Sequence, residues 1–89
     1  MIFAANFKCN HTRSSTQSYI SILSELIKSD TSHECFVFPP ATALLSSTPN
    51  VTIGVQNAYM AQNGAYTGEI GLEQLDEFGI KTILIGHSE

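Results

Sequence analysis

Leu84-Ile85-Gly86-His87-Ser88-Glu89 set an imidazole, a hydroxyl and a carboxylate directly behind a short apolar run. At the opposite end of the sequence, Met1-Ile2-Phe3-Ala4-Ala5 gives way at once to Asn6-Phe7-Lys8. Alternate residues of an extended segment share a face, so Asn6 and Lys8 can present an amide and an ammonium on one side beyond a strand end. A compact ammonium beside strand-end amides suits a phosphate or a developing enolate oxygen. His87 suits donation of a hydrogen bond to a carbonyl oxygen from a neutral imidazole, a state favoured if a helix begins just after it, since a helix N-terminus disfavours the imidazolium. Glu89 fits either a first-turn helix carboxylate or the ion partner of Lys8, and Ser88 either a helix cap or a partner of a catalytic group. Asn6 could equally satisfy the backbone of a local turn.

Positioning these groups requires strands. Four short apolar runs, at residues 2–5, 35–38, 51–55 and 82–85, are rich in β-branched or aromatic residues and lack polar alternation. That is the pattern of strands covered on both faces in a parallel sheet. Between the first two runs, Ser14, Ser15 and Thr16 offer N-cap oxygens, and Tyr19, Ile22, Leu23, Leu26 and Ile27 follow at helical spacing to an end near Ser29. Pro39-Pro40 stops the second strand, leaving residues 41–46 room for a helix of a turn or two before Pro49. A third helix is expected over residues 72–78, with Leu72 and Leu75 inward and Gly79 as its C-terminal cap. Strands and helices thus alternate through four strands and three helices of one domain. The order implies either an open doubly wound sheet or a (β/α)8 barrel, and both place ligands at the carboxyl ends of strands. Residues 56–70 form a long loop with turn signals at Asn63-Gly64 and Thr67-Gly68, and loops of this length in compact domains are commonly functional.

Composition narrows the functions. The 89 residues are 43% hydrophobic and 13% charged, which is globular composition. Net charge is −4, and the four basic residues, Lys8, Arg13, Lys28 and Lys81, are scattered, so no nucleic-acid footprint exists. The first apolar run has five residues and no basic region before it, short of the roughly 7 to 15 of a secretory signal. No stretch reaches the roughly 20 apolar residues of a membrane span, so no membrane partner and a cytoplasmic location are expected. Cys9 and Cys35 lack metal or redox spacing and are expected as free thiols, and the sequons at Asn10 and Asn50 are expected bare. No phosphate-binding glycine loop is present, and Cys9, His11, His33, Cys35 and His87 make no metal-ligand pattern, so no metal is expected.

Five segments taken together resemble the triosephosphate isomerase family: Ala4-Ala5-Asn6-Phe7-Lys8, Phe38-Pro39-Pro40, Gln56-Asn57-Ala58-Tyr59, Asn63-Gly64-Ala65-Tyr66-Thr67-Gly68-Glu69-Ile70 and Ile85-Gly86-His87-Ser88-Glu89. They fall in order at successive strand ends. The resemblance implies an α/β fold of the (β/α)8 TIM-barrel type, of which residues 1–89 supply the first half of a single domain. It implies a cofactor-free interconversion of glyceraldehyde 3-phosphate and dihydroxyacetone phosphate through an enediolate, in glycolysis and gluconeogenesis. By the same resemblance, and not by spacing, His87 is the electrophile, Lys8 supplies positive charge to substrate and enediolate, and Asn6 positions the substrate. Glu89 then pairs with the lysine, and Ser88 supports the site. Tyr66, Thr67 and Glu69 belong to a dimer-interface loop, residues 56–70, whose Thr67 enters the neighbouring subunit of a homodimer. Phe7 and Cys9 stand where the family often has Trp and Met. A barrel needs about 250 residues, so the family's glutamate base, its lid and its main phosphate-binding amides are expected outside these 89. The chain alone is therefore expected to be inactive, with open strand edges that favour self-association.

Overall fold

The computed structural model describes residues 1–30 and 32–86. Three parallel strands form its sheet: β1 (Ile2–Asn6), β2 (Glu34–Phe38) and β3 (Val51–Ile53), in the spatial order β1-β2-β3. Ile2 lies opposite Glu34 and Asn6 opposite Phe38, while Cys35 lies opposite Val51 and Val37 opposite Ile53. Parallel neighbours need a crossover. The first is helix α1 (Arg13–Ile27), and the second is short, holding only a 3-10 turn at Ala41–Ala43. Pro39 and Pro40 end the strand, and Pro49 closes a segment too short for more than a turn or two of helix. Helix α2 (Leu72–Glu77) follows the long loop.

Local chemistry accounts for both helices. Thr12, not Ser14, Ser15 or Thr16, is the N-cap of α1: its hydroxyl accepts from Ser15 N–H at 3.2 Å, and Ser15 Oγ accepts from Thr12 N–H at 2.9 Å. This reciprocal box uses serine where glutamate is the usual partner, which hides it from a search for acidic residues. The inward stripe of α1 is Thr16, Ile20, Leu23 and Ile27, a run at i, i+4, i+7 and i+11. Tyr19, Ile22 and Leu26, expected on that face, are exposed instead, at 40%, 64% and 74%. The apolar stripe is wider than one sheet face can cover, and the three-stranded sheet takes only one side of it. Helix α2 ends as expected. Gly79 adopts φ 72°, its N–H donates to Asp76 O at 2.9 Å, and Ile80 N–H reaches back to Leu75 O at 3.1 Å. That is a Schellman cap, completed by burial of Leu75 and Ile80 in the same core.

Of the fourth expected strand, the described residues carry one parallel bridge, Val55 to Ile83. Val55 N–H donates to Thr82 O and accepts at its carbonyl from Leu84 N–H, both at 2.9 Å. The β3 ladder with β2 closes at Ile53, and among the described residues Val55 is the one that bridges to the fourth segment. The expectation of strands covered on both faces holds for β2 and β3 and fails for β1, whose Ile2 and Phe3 are 66% and 50% exposed. β1 is an edge of the three-stranded sheet. The core joins Phe7, Ile20, Val37, Leu44, Ile53 and Val55 with Leu75 and Ile80. Cys9 and Cys35 are free thiols, and no helix among the described residues is long and apolar enough to cross a membrane.

Two predictions follow from this packing. The Thr16 hydroxyl is fully buried against the sheet with no hydrogen-bond partner among the described residues, and an unsatisfied buried polar group costs about 1–3 kcal/mol. Thr16→Val keeps the shape and removes the penalty, so urea unfolding should show a gain of about 1 kcal/mol; an equal loss would reveal a partner for the hydroxyl. At the turn after α1, the Ser32 hydroxyl (2.6 Å) and the Ser32 N–H (3.1 Å) both donate to Asp30 Oδ1. The hydroxyl first and the amide second hold the Asp30 carboxyl below its ordinary 3.8. A lowered folded pKa stabilises the fold fully above 3.8 and loses that contribution as pH falls through the folded value. Unfolding measured from pH 7 downward should therefore show wild type and Asp30→Asn converging in acid; a constant difference would contradict the assignment.

Candidate active site at the carboxyl edge of the sheet

Asn6 is the last residue of β1 and Lys8 follows two positions later, at the sheet edge where both candidate groups are exposed. The intervening Phe7 anchors this tip. Its ring is buried, 4.4 Å from the His11 ring and edge-on to Tyr19 of α1 at 4.9 Å between centroids. Its N–H donates to Phe38 O at 3.0 Å, extending the β1–β2 ladder by one bond. Its own carbonyl accepts from Asn10 twice, from the backbone N–H at 3.1 Å and from Nδ2 at 3.0 Å. A large aromatic at position 7 therefore fixes the loop between β1 and α1 from within.

Lys8 adopts φ 55°, in the left-handed region that a side-chain-bearing residue enters at a cost of about 1–2 kcal/mol. The turn is held in part by Asn6, whose Oδ1 accepts from Lys8 N–H at 2.9 Å. Asn6 thus carries the local backbone role that the sequence left open. Gln56, immediately after Val55, reaches across to the same tip: Nε2 donates to Lys8 O and to Phe38 O, each at 2.8 Å. Two carbonyl acceptors demand the NH2 end of the carboxamide, so its orientation follows from chemistry. The sequence sets Gln56 at the start of the long loop and within the resembling segment Gln56-Asn57-Ala58-Tyr59, with no role of its own. The signal available was a polar residue at a strand exit, the same station that Lys8 occupies after β1.

The packing beneath these tips depends on Gly54. A Cβ there would lie 2.7 Å from Phe38 Cδ1 and 3.0 Å from Thr82 O. Its absence lets the Phe38 ring and the backbone of the fourth segment close on β3 together. Because Ile83 pairs in parallel with Val55, the segment up to Gly86 runs with the three strands toward the edge that holds Asn6. His87, Ser88 and Glu89, the remaining candidates, lie outside the described residues.

The loop at residues 56–70 is folded on itself. Tyr59 and Tyr66 stack at 4.5 Å between ring centroids, Tyr59 N–H donates to Ile70 O at 2.8 Å, and Glu69 N–H donates to Tyr66 O at 3.0 Å. Asn63 Nδ2 ties the loop to α2 through Glu73 Oε2 at 2.6 Å. Tyr66, Thr67 and Glu69 are exposed. Gly64 at φ 138° and Gly68 at φ 84° supply the two turns.

Comparison with known proteins gives a consistent result. The family model described as triosephosphate isomerase matches residues 1–89. The chain is 63% identical over 90 residues to a triosephosphate isomerase of Sulfurovum sp., 61% over 90 to that of Sulfurimonas denitrificans, and 55% over 91 to that of Campylobacter jejuni subsp. jejuni. Each match covers 100% of this chain and 39%, 38% and 40% of the relative, so the chain spans about two fifths of the curated relatives it matches. Gly54→Ala tests the site's packing: overfilling of this kind costs about 1–3 kcal/mol. The midpoint of urea unfolding should fall accordingly, and an unchanged midpoint would show that the Phe38 ring is not seated on Gly54.

Proposed function

We propose, since the chain belongs to the triosephosphate isomerase family, that its residues form the first half of a (β/α)8 domain catalysing interconversion of glyceraldehyde 3-phosphate and dihydroxyacetone phosphate. The observation that supports this most is the tip of β1, where Asn6 Oδ1 holds the Lys8 backbone N–H in a turn at the carboxyl edge of a parallel sheet. In barrel enzymes that edge carries the chemistry.

The reaction moves one proton between adjacent carbons of the triose and one between their oxygens. Removing the carbon-bound proton makes an enediolate, whose new negative charge is the quantity the site must stabilise. In the proposed enzyme, the Lys8 ammonium faces the phosphate and the enediolate oxygens, His87 donates a hydrogen bond from a neutral ring to the carbonyl oxygen, and Asn6 orients the substrate. Glu89 pairs with Lys8 and Ser88 supports the ring. The general base comes from the part of the relatives' length that these 89 residues do not span, so the chain by itself is expected to lack turnover. The exposed loop bearing Tyr66, Thr67 and Glu69 fits the role of a homodimer contact, with Thr67 reaching the partner's site. No cofactor or metal enters any of these steps. A cytoplasmic location and a place in glycolysis and gluconeogenesis complete the proposal.

The test is kinetic, in the full-length protein that carries these residues. His87→Gln and Lys8→Ala should each lower turnover by about 100-fold to 1000-fold, the usual cost of removing a preorganised donor. Wild-type rates in either variant would overturn the role given to that residue. The 89-residue chain, purified and placed in the same coupled assay, should give no rate above buffer.

A further inference from the structure

Lys8 reaches its working position through an unfavourable backbone conformation, and the hydrogen bonds that hold that conformation come from two other candidates. Its N–H is held by Asn6 Oδ1 at 2.9 Å and its carbonyl by Gln56 Nε2 at 2.8 Å. Without the second bond, the Lys8 carbonyl would lose the hold that Gln56 gives it, with about 1–2 kcal/mol of left-handed strain acting on the turn. The Gln56 carboxamide is itself well rooted. Val55, its neighbour, has both backbone groups engaged with the fourth segment, and the second Gln56 hydrogen goes to Phe38 O, which also takes Phe7 N–H. One side chain therefore spans the exits of all three strands.

We propose that Gln56 is a positioning residue for Lys8: its carboxamide clamps the Lys8 peptide against the tips of β2 and β3 and so fixes the backbone from which the ammonium projects. The inference rests on the isomerase reading for its consequence on catalysis, but the clamp itself is a matter of two hydrogen bonds. Gln56 touches no reacting atom in this account. A loosened Lys8 should grip the phosphate less well and stabilise the enediolate less well, so KM should rise while kcat falls.

Gln56→Met keeps length and volume and removes both donors; Gln56→Glu keeps shape and sets a carboxylate against two carbonyl oxygens. In the full-length protein each should lower kcat/KM by about tenfold, the worth of one well-placed hydrogen bond. Combined with Lys8→Ala, either substitution should cause no further loss, because an effect exerted through Lys8 vanishes with it. An unchanged kcat/KM in the folded single variants, or an equal loss with and without Lys8, would overturn the proposal. Failure of both variants to fold would assign Gln56 to the fold and overturn it equally. Should the unsubstituted protein show no turnover, the isomerase reading fails, and the clamp is read from the carbon-13 chemical shift of the Lys8 carbonyl, the acceptor of the Gln56 bond. Gln56→Met should move that resonance upfield as the bond is lost, and an unchanged shift would remove the clamp.

Discussion

The arrangement at the sheet edge depends on one carbonyl oxygen. Phe38 O, at the end of β2, accepts from Phe7 N–H at 3.0 Å and from Gln56 Nε2 at 2.8 Å. A carbonyl has two lone pairs, and here one serves the strand before and the other the strand after. β2 is the middle strand, so it alone can mediate between β1 and the exit of β3. The register of the two ladders, Asn6 opposite Phe38 and Val37 opposite Ile53, brings the three exits level. Shifting either ladder by one residue would turn every side chain to the opposite face and separate these groups.

Much of this was legible in the residues. The runs of β2 and β3 were visible because parallel strands buried on both faces are continuous in apolar character. β1 showed the same run although Ile2 and Phe3 are exposed, and the end of α2 was visible because only glycine takes a left-handed C-terminal cap without cost. The cap of α1 was not legible. Thr12 stands before three further hydroxyl residues, any of which has the right oxygen, and its partner Ser15 replaces the expected acid. The inward face of α1 was misread for a related reason: Ile22 and Leu26 are as apolar as Ile20 and Leu23, Tyr19 adds an apolar ring, and periodicity cannot say how much of a broad stripe a sheet will cover. The fourth run has strand composition, yet pairing is a property of neighbours, and among the described residues it makes one bridge, to Val55. Gln56 was passed over because its hydrogen bonds bridge 48 and 18 residues along the chain, separations that no local pattern records.

Some of the exposed side chains of β1 and α1 share one surface. Phe3 of the edge strand, Tyr19 and Leu23 of α1 and Val37 of β2 line one open groove beside β1. In the proposed barrel this is a seam that further strands and helices would cover, since an unpaired parallel edge beside exposed apolar side chains favours association. The same architecture explains why the candidate groups sit where they do. Helices cover the outside of a parallel sheet and the strand exits are left to loops, so polar residues that need a fixed position must be held by other strand exits. Asn6, Phe38 and Gln56 do this for Lys8.

The central claim is that an amide, an ammonium and an imidazole from distant parts of the sequence meet around one small anion. A crystal structure of the full-length protein with glycerol 3-phosphate bound tests it most directly. The account predicts Lys8 Nζ and a His87 ring nitrogen each within about 3.2 Å of oxygens of the same ligand molecule, with Gln56 still donating to Lys8 O. A ligand held by neither group, or Lys8 and His87 on opposite faces of the sheet, would contradict it.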